Sequence, residues 1–449
     1  MQKLDSTIWS APGWPEDEGR RDGLASVLFV GDIYLARGSP AADWPDLLDE
    51  AVAAEIRAAT LAMANLEGPV TVCQEQYPKG LGPHLALSGQ SAVILRRAGF
   101  GAVSLANNHI LDFGPRGLED TFKACRQAGL LTVGAGGNAE EATQPLAISF
   151  PNGQSVRIFS FCEGEVGIAV EGRPGAAWLV SPLAEERIRE AKRSGHMVIV
   201  CAHGGNERVP LPSLQRRTQL RQLVEAGADL VIGHHPHVPQ GWEHWGSGHI
   251  FYSLGDFYFD SLAGERSPWR DWSFLLRAWI GTGAVQALQV IPFCRRSGRL
   301  VLLDSAQDIY LNYLKQISAM TASADFSAYW QVLAVNLLMD SYVPDSRALF
   351  LWHSIFPRGV LGWLAAVARL MAGQRAACDD GHRQQPGDVL VSRKRALDLL
   401  NTMRCESHRW TFETALSVLA GECEDLRTEK ARREMDAVLR AAKSVPPLG

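Results

Sequence analysis

The chain has 449 residues, a length that fits two to three domains or one large core with appendages. Its composition, 46% apolar and 21% charged, excludes a disordered or fibrous protein, and a formal charge of −5 argues against a dedicated nucleic-acid surface. The 42 Gly and 23 Pro point to a loop-rich fold with many tight turns. Eight scattered cysteines without a CxxC pair read as free thiols rather than a disulfide framework or a thiolate zinc knot. The opening residues lack the apolar run of about 7–15 residues that marks a signal peptide. The apolar stretch Val360–Val367 is too short to span a bilayer, so a soluble, cytoplasmic chain without a transmembrane segment is expected.

In chain order, residues 1–23 read as a polar, proline-containing lead-in. Leu24–Val30 is an apolar strand running into GDIYLARG, followed by a helical pattern over 44–60 and a short strand in LAMANLEG. Gln90–Ala98 predicts a helix, Gly101–Leu105 a strand, Leu118–Ala128 a helix and LLTVGAG another strand. The PNGQ turn between Pro145–Phe150 and Ser155–Phe161 signals a hairpin. Helices at Pro182–Arg193 and Leu214–Ala226 alternate with strands in MVIVCAHGG, ADLVIGHHPH and HIFYSLGDFYFD. Phe274–Phe293 and Arg299–Asp304 add strand-like sequence. The character then turns helical at Ile309–Met320, Phe326–Met339 and Val360–Met371. A polar stretch, Ala372–Asp388, separates these from helices at Ser392–Met403, Thr411–Leu419 and Asp425–Ala442.

Five segments join an apolar strand to polar side chains: Gly31-Asp32, Asn65–Gly68, Asn107–His109, His203–Glu207 and Gly233–His237. Such strand ends are where α/β folds place their sites. Taken singly, Asp32 reads equally as a turn former, His109 as a structural histidine and Glu67 as a cap. Together they supply the carboxylate, amide and imidazole donors that a divalent ion requires. His235 and His237 flank Pro236, and on an extended segment their rings share one face.

At these residues the sequence resembles the bacterial capsule-synthesis family named for the poly-γ-glutamate protein CapA, within the calcineurin-like metallophosphoesterase superfamily. The resemblance rests on GDIYLARG (Gly31–Gly38), NLEGPVT (Asn65–Thr71), SLANNHILDFGPRGLEDT (Ser104–Thr121) and VGAGGNAEEATQP (Val133–Pro145). It continues in HGGNE (His203–Glu207), AGADLVIGHHPHVPQ (Ala226–Gln240) and YSLGDFYFD (Tyr252–Asp260), with order and spacing kept over residues 24 to about 295. It implies an α/β fold, a four-layer α/β/β/α metallophosphoesterase-like sandwich over 24–305. A helical extension (306–371), a linker (372–390) and a small helical C-terminal region (391–449) follow.

The same resemblance implies Asp32, Glu67, Asn108, His203, His235 and His237 as ligands of one or two divalent ions, Mn, Zn or Fe. It implies His109 as acid or base and Glu207 as a group contacting substrate, water or a ligand histidine. Tyr34 stands where the superfamily has histidine, Glu67 replaces its bridging aspartate, and Gly204 replaces a usual tryptophan, opening the pocket. Asp256, where asparagine is usual, adds a charge near the site. Arg37 and Arg116 are candidates to pair with a substrate carboxylate or phosphate, with a surface ion pair as the competing reading. The implied activity is a metal-dependent hydrolase or transferase on a γ-glutamyl-like small molecule or other amide. A phosphoesterase, or a non-catalytic polyanion- or partner-binding module, is the alternative. The C-terminal helices offer an oligomer contact, against the competing reading that they pack back on the core.

Overall fold

The computed structural model describes residues 7–10, 24–37, 47–79, 82–260, 272–281, 283–303, 307–339 and 405–443. The helices expected at Val360–Met371 and Ser392–Met403, and the linker between them, lie outside the described residues. The first half runs β1 (Thr7–Ser10), β2 (Ala25–Tyr34), α1 (Glu50–Ala58), β3 (Leu61–Leu66), α2 (Ser91–Ala98), β4 (Ala102–Ser104) and α3 (Gly114–Ala128). Next come β5 (Leu131–Val133), β6 (Ala135–Gly136), α4 (Ala139–Ala142), β7 (Leu146–Ser149), β8 (Ser155–Cys162) and β9 (Gly175–Ala176). Then follow α5 (Pro182–Arg193), β10 (Met197–His203), α6 (Leu214–Ala226), β11 (Leu230–His234), β12 (Trp242–Trp245), β13 (Gly248–Phe251) and β14 (Asp256–Phe259). The remainder is β15 (Trp272–Gly281), β16 (Ala284–Arg296), β17 (Arg299–Leu302), α7 (Gln307–Ala322), α8 (Phe326–Leu337), α9 (Glu406–Ala420) and α10 (Glu429–Lys443).

Two large sheets make a mixed α/β architecture. The first runs β1-β16-β15-β2-β3-β4-β5, with β17 on β16 and β14 on β2; the second runs β12-β13-β11-β10-β8-β7. Strand β2 shows how the sequence sorts its faces. Val27 and Phe29 join a cluster with Ile158, Ile199 and Ile232 of the second sheet. Leu28 and Val30 join one with Val52, Ile56, Leu95 and Leu118 from α1, α2 and α3. The second sheet's other face, through Val198, Val200 and Val231, meets Ile188 of α5 and Leu220 of α6. Each such buried aliphatic side chain stabilises the fold by about 1.5–3 kcal/mol. Ile317, Trp330, Ala415 and Met435 of the C-terminal helices belong to the same cluster as the facing sheets. Among the described residues no helix is long and apolar enough to cross a membrane.

Three local outcomes differ from the sequence pattern. Helix α1 begins only at Glu50, because Leu48 bridges to Leu300 and the Asp49 side chain accepts the Ala51 N–H at 3.0 Å as an N-cap. Helix α3 starts at Gly114 rather than Leu118, with Pro115 set in its first turn. The N-terminal lead-in supplies a strand, since Thr7–Ser10 pairs antiparallel with β16.

The edge of β2 is divided between two partners. Ala25–Phe29 pairs antiparallel with β15, whereas Asp32–Tyr34 pairs parallel with β14. The changeover occurs at Gly31, where a Cβ would lie 1.7 Å from the Gly255 carbonyl oxygen. The Asp32 N–H donates to that oxygen at 3.1 Å. Only glycine permits this approach, which sets Asp256 in register with Asp32.

Candidate metal centre

The strand ends of both sheets deliver their polar residues to one place. From the first sheet, Asp32 lies on β2, Glu67 just past β3, and Asn107, Asn108 and His109 past β4. From the second, His203 ends β10 and His234 ends β11, followed by His235 and His237. Asp32, Glu67, Asn108, His203, His235 and His237 are all buried. His235 (φ 95°) and His237 (φ 59°) both adopt left-handed backbone, so the segment is not extended as the spacing suggested. Each such residue stores strain on the order of 1–3 kcal/mol, a cost that concentrates at functional sites. Their rings still meet, with centroids 5.8 Å apart.

The Asp32 carboxylate is anchored on both oxygens. Asn65 Nδ2 donates to Oδ1 at 2.8 Å and the His235 N–H donates to Oδ2 at 2.9 Å. His234 Nδ1 stands 3.2 Å from Oδ1 and His237 Nδ1 3.6 Å from Oδ2. His203 Nε2 lies 3.0 Å from Asn108 Oδ1 and 3.1 Å from His235 Nδ1. His237 Nδ1 is 2.7 Å from Asp256 Oδ1. Glu67 differs from its neighbours: both of its carboxylate oxygens are buried without a hydrogen-bond partner. Its Oε1 is 3.7 Å from His237 Nε2 and 4.0 Å from His203 Nε2.

These side chains form overlapping groups whose ligand atoms lie within 4.8 Å of one another: Glu67, His203 and His235; Asp32, Glu67 and His237; and Glu207, His235 and His237. Glu67 is common to the first two. The protonation of Asp32, His203 and His235 suits a cation, whereas Glu67 and His237 must each give up a proton to ligate. Burial alone would raise the Asp32 carboxyl, yet the close approach of His234, then of His203 and His237, holds it well below the usual range. Burial pushes Glu67 well above it, and the charge of His237 only partly offsets this. Burial lowers His203 strongly and His235 to about 3, which keeps both imidazoles neutral and able to ligate. Burial also opposes the charged form of His237, but Asp256 and Glu67 outweigh it and raise the ring to about 10. The donor set, oxygen and neutral nitrogen around a carboxylate with no donor of its own, is one that a divalent ion fits.

His109 stands beside this cluster in a different network. Its Nδ1 is 2.7 Å from Asp112 Oδ2 and 3.1 Å from Lys79 Nζ, while Lys79 donates to Asp112 Oδ1 at 2.5 Å. Burial, then the Lys79 charge, lowers the His109 ring, against the pull of Asp112. Glu207 lies at the solvent-exposed rim of the cluster, where partial desolvation acts to raise its carboxyl but the neighbouring His237, then His235, hold it below the usual range.

The two arginines have partners of their own. Arg37 donates to the carbonyls of Thr71 at 2.6 Å and Cys73 at 3.1 Å. Arg116 pairs with Asp120 at 3.1 Å along α3. Neither is in the groups built on Glu67. His234 was visible in the sequence only as part of the Gly233–His237 segment, and Lys79 and Asp112 were not singled out, nor were Glu163 and Glu165, which form a further group with Cys405. Asp112 had a legible signal, three residues after His109 in the same polar turn; Lys79 sits in an irregular segment without any periodicity.

The family model for bacterial capsule synthesis protein PGA_cap matches residues 26–261, a span that holds every residue of the cluster. A "PGA biosynthesis protein CapA" of Bacillus subtilis is 31% identical over 251 residues, 55% of this chain and 66% of that protein. A "Capsule biosynthesis protein CapA" of Bacillus anthracis is 32% identical over 300 residues, 64% of this chain and 72% of that protein. This chain therefore spans about two thirds of the first relative's length.

Proposed function

Because the chain belongs to the bacterial capsule synthesis protein PGA_cap family, we propose that it is a metal-dependent hydrolase or transferase acting on an amide, γ-glutamyl-type bond. The observation that carries the reading is Glu67, a buried carboxylate without a hydrogen-bond donor at the shared corner of two ligand groups. Burial drives this carboxyl toward its neutral form, and a cation at the shared corner would hold it ionised and supply the partner it lacks. Asp32, Glu67, Asn108, His203, His235 and His237 are the groups that would hold one or two ions, manganese, zinc or iron. A bound divalent ion supplies Lewis acidity toward the reacting acyl or phosphoryl oxygen. The facing sheets with helices packed on both support the reading of the architecture as a four-layer α/β/β/α sandwich.

The chain's own residues supply the proton chemistry. Asp112, 2.7 Å from His109 Nδ1, holds that nitrogen as a donor and leaves Nε2 to take or give the proton at the scissile bond. The lowered His109 ring rests neutral near pH 7 and serves first as a base. Glu207, held ionised by the histidines, is placed to orient an attacking water or a substrate amine.

The test is metal analysis of purified protein, followed by incubation with γ-glutamyl oligopeptides and mass spectrometry of the products. Bound metal, and cleavage lost to a chelator and restored by manganese, is the expected result. Protein that takes up neither manganese, zinc nor iron would overturn the reading. Phosphate release from phosphomonoesters, with γ-glutamyl peptides left intact, would move the substrate to phosphate esters.

A further inference from the structure

The loop His203–Glu207 carries two groups of the cluster, and its shape is not self-sustaining. Gly204 has φ +148° and Gly205 φ +116°, and Arg208 follows at φ 60°. On one side the loop is tied to the histidine segment, since the Gly204 N–H donates to the His234 carbonyl at 3.0 Å and the Arg208 N–H to that of Pro236 at 2.8 Å. On the other side it meets α9, from the part of the chain beyond the family match.

The link to α9 runs through Glu163, a buried carboxylate just past β8. Its N–H donates to the His203 carbonyl at 2.9 Å. Its Oε2 accepts the Gly205 N–H at 2.9 Å and the Ser407 hydroxyl at 2.7 Å. Asn206 adds a direct tie, its Nδ2 donating to Thr411 Oγ1 at 2.8 Å and to the Ser407 carbonyl at 3.2 Å. The side-chain space above Gly204 is filled by the same carboxylate: a Cβ there would lie 2.6 Å from Glu163 Oε2. Gly204 therefore admits a latch instead of opening a pocket.

We propose that Ser407, acting through Glu163, is a positioning residue that holds the His203–Glu207 loop against the metal centre, so that α9 completes the site. This rests on the metal-dependent reading above, but the latch has a readout of its own. In this shape of the loop Glu207 lies within 4.8 Å of the His235 and His237 nitrogens. Loosening Ser407 frees the Glu163 carboxylate that holds Gly205 and so slackens the loop carrying Glu207, while the Asn206 ties and the packed sheets remain.

The experiment is hydrogen–deuterium exchange of the full chain, read on the segment 203–208, together with manganese titration. Ser407→Ala should speed exchange of that segment about tenfold, equivalent to losing one hydrogen bond of about 1.4 kcal/mol to a buried carboxyl, and weaken manganese binding by a similar factor. Ser407→Thr, which keeps the hydroxyl, should restore both. Glu163→Gln, which still accepts the Gly205 N–H, should fall between wild type and Ser407→Ala. Unchanged exchange at 203–208 in Ser407→Ala would overturn the latch, as would failure of the threonine to rescue. Should wild-type protein bind no manganese, the functional reading falls, while the exchange data still decide the latch.

Discussion

Glu67 places a carboxylate where no N–H or O–H reaches it, and its neighbours are histidine nitrogens 3.7–4.0 Å away. In the metal-free protein that arrangement is a liability of about 1–3 kcal/mol or more. Glu67→Gln should therefore raise the melting temperature of chelator-treated protein and abolish the further rise that manganese gives the wild type. Calorimetric scans with and without the ion check both signs; a variant that keeps the manganese-induced rise refutes the shared-ligand role. Asp112 makes a different kind of contribution. Asp112→Asn can present its NH2 rather than an acceptor to His109 Nδ1, so the ring loses its fixed donor. Turnover should fall by about 10²–10⁴-fold with metal content unchanged. Steady-state kinetics beside metal analysis separates this from loss of the ion.

At the scale of elements, Gly31 is where β2 exchanges one neighbour for another. Gly31→Ala forces a methyl into the Gly255 carbonyl, pushes β14 away and takes Asp256 with it. A destabilisation of about 1–3 kcal/mol with weakened metal binding is expected, read by denaturant titration and manganese affinity. The strand pair β12 and β13 carries a pH dependence. His249 stacks on Trp242 and lies beside His244, and burial, then the His244 charge, lowers it to about 3 from 6.5. The unfolded chain binds a proton there below about pH 6.5 and the folded chain does not, so stability falls as pH drops from about 6.5 toward about 3. His249 contributes at most about 1.4 kcal/mol per pH unit to this slope, beside the other lowered histidines, and His249→Phe should make a series of unfolding curves shallower by that share.

Most strands and helices between β2 and α6 were legible, α4 and β9 excepted, because each apolar run had the right period and ended at a turn signal. Asp32, Asn108, His203, His235 and His237 were legible for the same reason, as polar residues at or just past strand ends. What stayed hidden came from context outside any period. Strand β1 is a four-residue polar-flanked TIWS that becomes a strand only because β16 offers an edge. Lys79 reaches Asp112 from an irregular segment, and Glu163 meets Ser407 across 244 residues of sequence. The left-handed backbone at His235 and His237 could not be read either, since it is imposed by the ties to Asp32 and the neighbouring loop.

At the scale of the whole molecule, the C-terminal helices are continuous with the core. Trp330 of α8 is fully buried in the cluster that contains the facing sheets, and its Nε1 donates to Thr414 Oγ1 at 3.1 Å. Trp330→Ala should cost about 3–5 kcal/mol and lower the single unfolding midpoint of the entire chain. Separate transitions for sheets and helices, followed by fluorescence and circular dichroism, would contradict this continuity.

The two sheets also divide the chemistry of the centre between them. Asp32, Glu67 and Asn108 arrive from the first and offer only oxygen; His203, His235 and His237 arrive from the second and offer only nitrogen. During synthesis the oxygen donors emerge first, and alone they make a hard site without preference for a transition metal. The imidazoles complete it some hundred residues later. On the proposed reading, the mixed oxygen and nitrogen set that would choose the ion exists only once the two sheets close on each other.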